Sequence, residues 1–217
     1  AGAGQRVVAG FPSGVYALTP ECADTPQLLH MVEAALKGGA AAVQYREKSG
    51  DVALRHEQAS ELLPLCRQYR VPLIINDDLR LADLTGADGV HLGREDAGLR
   101  EARIILGPRK IVGVSCYQSL ELARQAQADG TDYVAFGSFY ASPTKPQAAR
   151  APVQLLRDAA VLSVPVVAIG GITLDNAAAL IGAGADAIAV ITALFDAPDI
   201  EKAARALDEL FETELED

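Results

Sequence analysis

The sequence contains no tryptophan, a single methionine and only three cysteines in 217 residues. Thiols so few, odd in number and widely spaced (Cys22, Cys66 and Cys116) argue against a disulfide scaffold or a cysteine zinc site, and fit reduced core or surface residues of a cytoplasmic protein. Long apolar runs are missing too. The longest, near 187–195, is about half of what a membrane-spanning helix needs, so no membrane partner is expected. Residues 1–13 lack a basic stretch leading into an apolar core and do not read as a secretion signal; 1–14 is taken as an N-terminal extension or expression remnant. Positive charge is also scarce, with 19 Lys and Arg against 29 Asp and Glu and a net charge of -10. That excludes broad phosphate-backbone binding, so no nucleic-acid partner is expected and any anion site must be local.

What is present is apolar residue in quantity, half of the chain, enough for one large α/β domain over 15–217. Short apolar runs at 15–18, 41–44, 73–76, 89–92, 111–115, 133–136, 166–169 and 187–191 read as strands. Helical patterns separate them: a helix capped by Thr25 with Pro26 at its first position, then 51–69 despite Pro64, 79–85, 99–106, 120–128, one from 153, one capped by Thr173, and a last near 200–214. Unbroken rather than alternating strands between helices indicate a parallel sheet covered on its faces. Eight of them favour a closed (β/α)8 TIM barrel over an open doubly wound sheet. A Gly-Ala-Asp echo, or a close variant, at Gly86, Gly130 and Gly184 marks helix ends ahead of strands four, six and eight, with Gly39 similarly ahead of strand two.

In such a barrel the loops after the strands share one face, where active sites lie. The polar residues follow that rule: Arg46 and Lys48 after strand two, Asn76 and Asp77 after three, Asp96 after four, Ser115 on five, Thr144 and Lys145 after six, Gly171 after seven, Thr192 after eight. Along an extended end, Gln44, Arg46 and Lys48 share one side while Tyr45 and Glu47 take the other. Like charges gathered at Arg46, Lys48 and Lys145 repel by a few kcal/mol at an effective dielectric of about 20 unless an anion balances them; a solvated strand end is the plainer alternative. Asp77 and Asp96 follow strands about 4.8 Å apart and suit one shared magnesium ion, unless they merely cap a helix and a turn, the role given to Asp78. Gly170 and Gly171, with Ile191 and Thr192, make either a phosphate cup or a tight turn. His91 reads as a packed barrel histidine rather than a base. Two anion sites, one metal and no evident base describe pyrophosphate loss from one phosphorylated substrate and attack by another.

At these residues the sequence resembles the thiamine-phosphate synthase family. The resemblance runs from Val15 to Leu207 and rests on Gln44-Tyr45-Arg46-Glu47-Lys48, Ile75-Asn76-Asp77-Asp78, Val90-His91-Leu92-Gly93 through Asp96, Gly113-Val114-Ser115, Thr144-Lys145 and Ala168-Ile169-Gly170-Gly171-Ile172-Thr173. It implies that two small phosphorylated substrates, hydroxymethylpyrimidine pyrophosphate and hydroxyethylthiazole phosphate, are joined with release of pyrophosphate. The residues 44–48, Asn76, Ser115 and Lys145 would hold the first, with Lys145, Arg46, Lys48 and Ser115 carrying the catalysis. Ser142, Pro143, Thr144, Gly171, Ile191 and Thr192 would hold the thiazole phosphate, and Asp77 and Asp96 the Mg2+. Departures from the family pattern are Ser142 for threonine, Thr192 for serine, Ser138 for a frequent proline, and Cys116-Tyr117 where a histidine often stands. Two rivals remain: a thiazole tautomerase on the same barrel, and a non-enzymatic phosphate-ligand sensor. The sequence leaves open whether the protein is a homo-oligomer.

Overall fold

The structure, a computed structural model, describes residues 10–93, 98–142, 146–147 and 150–213. Among the described residues eight parallel strands close in sequence order, β1 through β8. They are β1 (Gly14–Leu18), β2 (Ala42–Tyr45), β3 (Leu73–Asn76), β4 (Gly89–Leu92), β5 (Ile111–Tyr117), β6 (Tyr133–Phe136), β7 (Val166–Ala168) and β8 (Ala187–Val190). The helices between and after them are α1 (Thr25–Lys37), α2 (Val52–Gln68), α3 (Leu79–Thr85), α4 (Leu99–Leu106), α5 (Leu120–Ala128), α6 (Gln154–Asp158), α7 (Ala177–Gly182), α8 (Thr192–Phe195) and α9 (Ile200–Thr213). This is the expected (β/α)8 barrel. Among the described residues no helix is long and apolar enough to cross a membrane.

Every strand is buried on two sides, which explains the absence of period-two alternation in the sequence. One core cluster fills the space between strands and helices. A second fills the barrel itself, with Phe11, Tyr16, Leu18, Ala42, Ile74, Tyr133, Ala135, Val167, Ala187 and Ala189. Its small members make room for three rings. A Cβ on Gly113 would overlap the Tyr133 ring, so the strand pairing β5–β6 requires glycine there. Phe11 lies within the stretch expected to be an extension, yet it is 2 % exposed and its ring centroid sits 4.2 Å from that of Tyr133 and 5.0 Å from that of Tyr16. The core therefore begins ahead of the expected boundary at 15.

The Gly-Ala-Asp echo has a second half that the glycine alone did not reveal. Asp88, Asp132 and Asp186 each stand at the foot of an even-numbered strand and each reach back to the strand before it. Their Oδ2 atoms accept the N–H groups of Leu73, Val112 and Val166, all at 2.8 Å. The N–H of each aspartate donates in return to the carbonyl of the same residue. The barrel is thus clasped in two-strand units at the end opposite the strand termini that carry the polar residues.

Three local expectations are corrected. Asp24, not Thr25, caps α1, its carboxylate accepting the Gln27 N–H at 3.1 Å; Thr25 is the first helical residue and donates to Glu57 Oε2 at 3.3 Å. β5 continues two residues past Ser115 because its register shifts between Ser115 and Tyr117, a bulge that tucks Cys116 into the core. Finally, α7 starts at Ala177 rather than just after Thr173; the intervening turn is closed by Asn176, whose Oδ1 accepts the Thr173 N–H at 2.8 Å.

Candidate active site

At the end of β2 the two-residue alternation of an extended strand persists. Gln44, 3 % exposed, points into the barrel and donates from Nε2 to the Tyr16 hydroxyl at 3.0 Å. Arg46 is half-buried at the mouth, its backbone N–H held by Thr19 Oγ1 at 2.9 Å. Among the described residues its guanidinium makes no hydrogen bond or ion pair. Tyr45 and Glu47 turn the other way, toward α2. The Tyr45 hydroxyl donates to Gln58 Oε1 at 2.6 Å, and burial, with the Glu47 charge adding, pushes its pKa up. Glu47 lies 3.6 Å from Arg55 Nε, which also donates to the Glu47 carbonyl at 3.0 Å. The polar ends of Tyr45 and Glu47, both expected in the substrate set, are therefore used within the fold, bracing the strand end that carries Arg46 and Lys48. Both line an outer cavity of about 760 Å³ that also takes in Lys48, Asn76 and Asp77.

At the end of β3, Asn76 stands level with His91 of β4. Asp77 adopts φ 65, a left-handed conformation uncommon for a side-chain-bearing residue, and its N–H donates to the His91 carbonyl at 2.8 Å. That turn leaves the carboxylate exposed at the mouth, 3.1 Å from the Asn76 Nδ2 that donates to it. Asp78 takes the capping role expected of it, accepting the Leu81 N–H at 2.9 Å, so Asp77 is not a helix cap. Among the described residues no group of three or more His, Cys, Asp or Glu is arranged to hold a metal. Magnesium commonly needs only one or two carboxylates beside water and phosphate oxygens, and Asp77 fits one of them. Asp96 lies outside the described residues.

Inside the barrel a chain of hydrogen bonds links β5 to β2. Ser115 Oγ is 2.7 Å from His91 Nε2, His91 Nδ1 is 2.7 Å from the Tyr133 hydroxyl, and Tyr133 is 2.9 Å from the Tyr16 hydroxyl, which receives Gln44. His91 is the packed interior histidine expected, stacked on Tyr133 with centroids 5.7 Å apart. Tyr16 and Tyr133 were not singled out from the sequence. The available signal was a phenol at an inward position of an otherwise apolar strand, since a buried tyrosine hydroxyl needs a partner. Burial pushes both phenols well above their ordinary pKa and pushes the Cys116 thiol up to about 12.

The other half of the mouth is built by the ends of β6, β7 and β8. Gly170 and Gly171 have φ 100 and 61, and the chain after β6 is laid directly against them. Phe139 and Tyr140 donate their N–H groups to the carbonyls of Ile169 and Gly170, both at 3.1 Å. A Cβ at Gly170 would overlap Ser138, and one at Gly171 would come within 2.8 Å of the Tyr140 carbonyl oxygen. The two glycines are there for close approach, which brings half-buried Ser142 to the same rim. Ala168 pairs with Ile188, so β7 and β8 end side by side, the first running into the turn at Gly170 and Gly171 and the second into α8, which begins at Thr192. The opening N–H groups of a helix have no partner from a preceding turn. Pro143, Thr144 and Lys145 lie outside the described residues.

The ends of the strands thus bring Gln44, Arg46, Lys48, Asn76, Asp77 and Ser115 to the same end of the barrel as Ser142, Gly171, Ile191 and Thr192. Comparison with known proteins points to one chemistry. A family model described as thiamine monophosphate synthase matches residues 15–194. The thiamine-phosphate synthase of Thiobacillus denitrificans is 70% identical over 208 residues, covering 95% of this chain and 99% of that protein. That of Methylobacillus flagellatus is 55% identical over 198 residues, covering 91% and 95%. The solved structure of a thiamine phosphate pyrophosphorylase from Pyrococcus furiosus superimposes with a TM-score of 0.81 at 35% identity, covering 93% of this chain and 96% of that one.

Proposed function

The chain belongs to the thiamine-phosphate synthase family, and on that premise we propose that it joins hydroxymethylpyrimidine pyrophosphate to hydroxyethylthiazole phosphate, yielding thiamine phosphate and pyrophosphate. The observation that carries this reading is Arg46, a residue half-buried at the barrel mouth whose guanidinium has no partner among the described residues. A buried or half-buried cation left unpaired is costly, and a pyrophosphate group supplies the missing charge.

Arg46, Lys48 and Lys145 hold the departing pyrophosphate, while Gln44, Asn76 and Ser115 orient the pyrimidine. Ser142, Pro143, Thr144, Gly171, Ile191 and Thr192 hold the thiazole phosphate through hydroxyl and backbone N–H donors. Magnesium, held by Asp77 and Asp96, supplies Lewis-acid stabilisation of charge on the leaving group when bound. The carbon–oxygen bond breaks with its electron pair going to pyrophosphate, and the ring amine of the pyrimidine spreads the positive charge left on the methylene carbon. The thiazole nitrogen then forms the new bond with its own lone pair, so no protein base is needed. Retention of Arg46, Lys48, Asp77, Asp96 and Lys145 in the sequence favours this reaction over a tautomerase, which has no pyrophosphate to hold.

The test is pyrophosphate release from the two substrates with magnesium. Release that requires both substrates supports the reading. Equilibrium binding of either substrate without any release would overturn it in favour of a ligand sensor.

A further inference from the structure

Two of the three residues assigned to the pyrimidine, Gln44 and Ser115, sit on strands β2 and β5, yet a continuous run of hydrogen bonds joins them through the barrel. The links are Gln44 to Tyr16 at 3.0 Å, Tyr16 to Tyr133 at 2.9 Å, Tyr133 to His91 at 2.7 Å and His91 to Ser115 at 2.7 Å. Tyr16 and Tyr133 are at most 2 % exposed and Gln44 is 3 % exposed. A phenol has one proton to give, and a neutral imidazole gives at one nitrogen and receives at the other. Such a run has two self-consistent directions. In one, the Gln44 amide N–H donates to Tyr16, Tyr16 to Tyr133, Tyr133 to His91 Nδ1, and His91 Nε2 to Ser115. That leaves the Ser115 proton, and at Gln44 the amide oxygen with the second amide N–H beside it in a fixed order, for a ligand. In the other, the Gln44 amide is turned over and each proton points the opposite way, so the serine offers lone pairs and the glutamine offers N–H groups.

Resting on the reading of this mouth as the pyrimidine site, we infer that Tyr16 and Tyr133 are positioning residues that lock Gln44 and Ser115 into one joint donor–acceptor pattern and thereby select an aminopyrimidine edge. The structure has Gln44 Nε2 on Tyr16, the first direction. An acceptor oxygen at one end and a hydroxyl proton at the other are complementary to a ring amine beside a bare ring nitrogen. A ring carrying an oxo group beside an N–H needs the second direction, and reaching it requires all five groups to reverse together in a closed interior. Removing one phenol oxygen cuts the run and lets each end choose for itself. Burial keeps both phenols protonated, so neither phenolic link loses its proton across the working pH range.

The experiment uses the full chain and three variants, Tyr133→Phe, Tyr16→Phe and Phe11→Leu. The first two remove one oxygen each. The third loosens packing against both rings and leaves every link intact. For each, kcat and KM are measured for both substrates, together with the inhibition constant of the pyrimidine analogue bearing an oxo group in place of the amine. Thermal melting reports folding, and Tyr16→Phe serves where Tyr133→Phe does not fold. The expected result is a rise of about tenfold in KM for the pyrimidine substrate and a fall of about tenfold in preference for amine over oxo, the scale of one lost hydrogen bond. The KM for thiazole phosphate and the preference in Phe11→Leu stay at the unmodified values. An unchanged preference in the phenylalanine variants, or an equal change in Phe11→Leu, overturns the inference. Absence of pyrophosphate release from the unmodified protein would be a separate result, overturning the functional reading and the selectivity with it.

Discussion

Asp132 and Val112 hold each other twice: the aspartate carboxylate accepts the valine N–H at 2.8 Å and the aspartate N–H donates to the valine carbonyl at 2.8 Å. The same clasp recurs between Asp88 and Leu73 and between Asp186 and Val166. In each case the carboxylate accepts an N–H at the start of the preceding strand, from the first residue of β3 and β7 and the second of β5. Arg103 adds an ion pair to Asp132.

Asp132→Ala leaves the Val112 N–H without its acceptor and Arg103 without its carboxylate. A loss of about 1–3 kcal/mol in unfolding free energy is expected, read from urea titration with an unchanged m-value. Activity per folded molecule should be retained, because the clasp lies at the end of the barrel away from the mouth. A loss below about 0.5 kcal/mol would mean that water replaces the carboxylate.

On the proposed reading, Arg46→Ala removes a charged donor from the pyrophosphate. Charged hydrogen bonds contribute about 1.5–3 kcal/mol, so KM for the pyrimidine substrate should rise by roughly ten- to a hundredfold while KM for thiazole phosphate stays put. Steady-state kinetics varying each substrate in turn makes the comparison. Equal effects on both would place Arg46 in a general structural role.

Asp77→Asn keeps a residue that tolerates the left-handed backbone and removes the negative charge. The magnesium concentration giving half-maximal activity should rise by about tenfold or more. An unchanged magnesium titration would show that this carboxylate does not touch the metal.

Asp208 on α9 is half-buried beside Gly39, and burial, with Glu212 and Glu209 adding, raises its pKa from the ordinary 3.8. A raised acid binds its proton more tightly folded than unfolded, so this group favours the fold at low pH and that contribution is lost as pH rises through its folded value. Asp208→Asn should therefore melt higher than the parent at pH 7, with the difference closing below about pH 4, the unfolded range of an aspartate. A gap independent of pH would mean that charge is not the cause.

Much of the architecture was readable because a parallel barrel buries each strand in one apolar run and ends the preceding helix on glycine. The runs at 73–76, 89–92 and 133–136 coincide with β3, β4 and β6. Errors fell where two neighbouring residues are chemically equivalent. Asp24 and Thr25 are both competent caps, and only the backbone decides that Asp24 acts. The β5 extension to Tyr117 depends on a bulge that leaves no mark in composition. At the mouth, the period-two rule set Gln44, Arg46 and Lys48 apart from Tyr45 and Glu47; the structure turns Gln44 into the barrel and Tyr45 toward α2, but Lys48, beyond the end of β2, lines the same outer cavity as Tyr45 and Glu47. The Tyr16–Tyr133 link stayed hidden because strands apolar on both sides give no contrast between the residues facing the barrel and those facing the helices.

The backbone at Asp77 carries a lesson for anyone improving this protein. A side-chain-bearing residue at φ 65 sits where glycine relaxes without penalty. A selection that rewarded thermal endurance alone would drift toward glycine at that position and, if Asp77 holds magnesium as proposed, collect well-behaved molecules with an impaired metal response. Any library built for robustness should hold position 77 fixed.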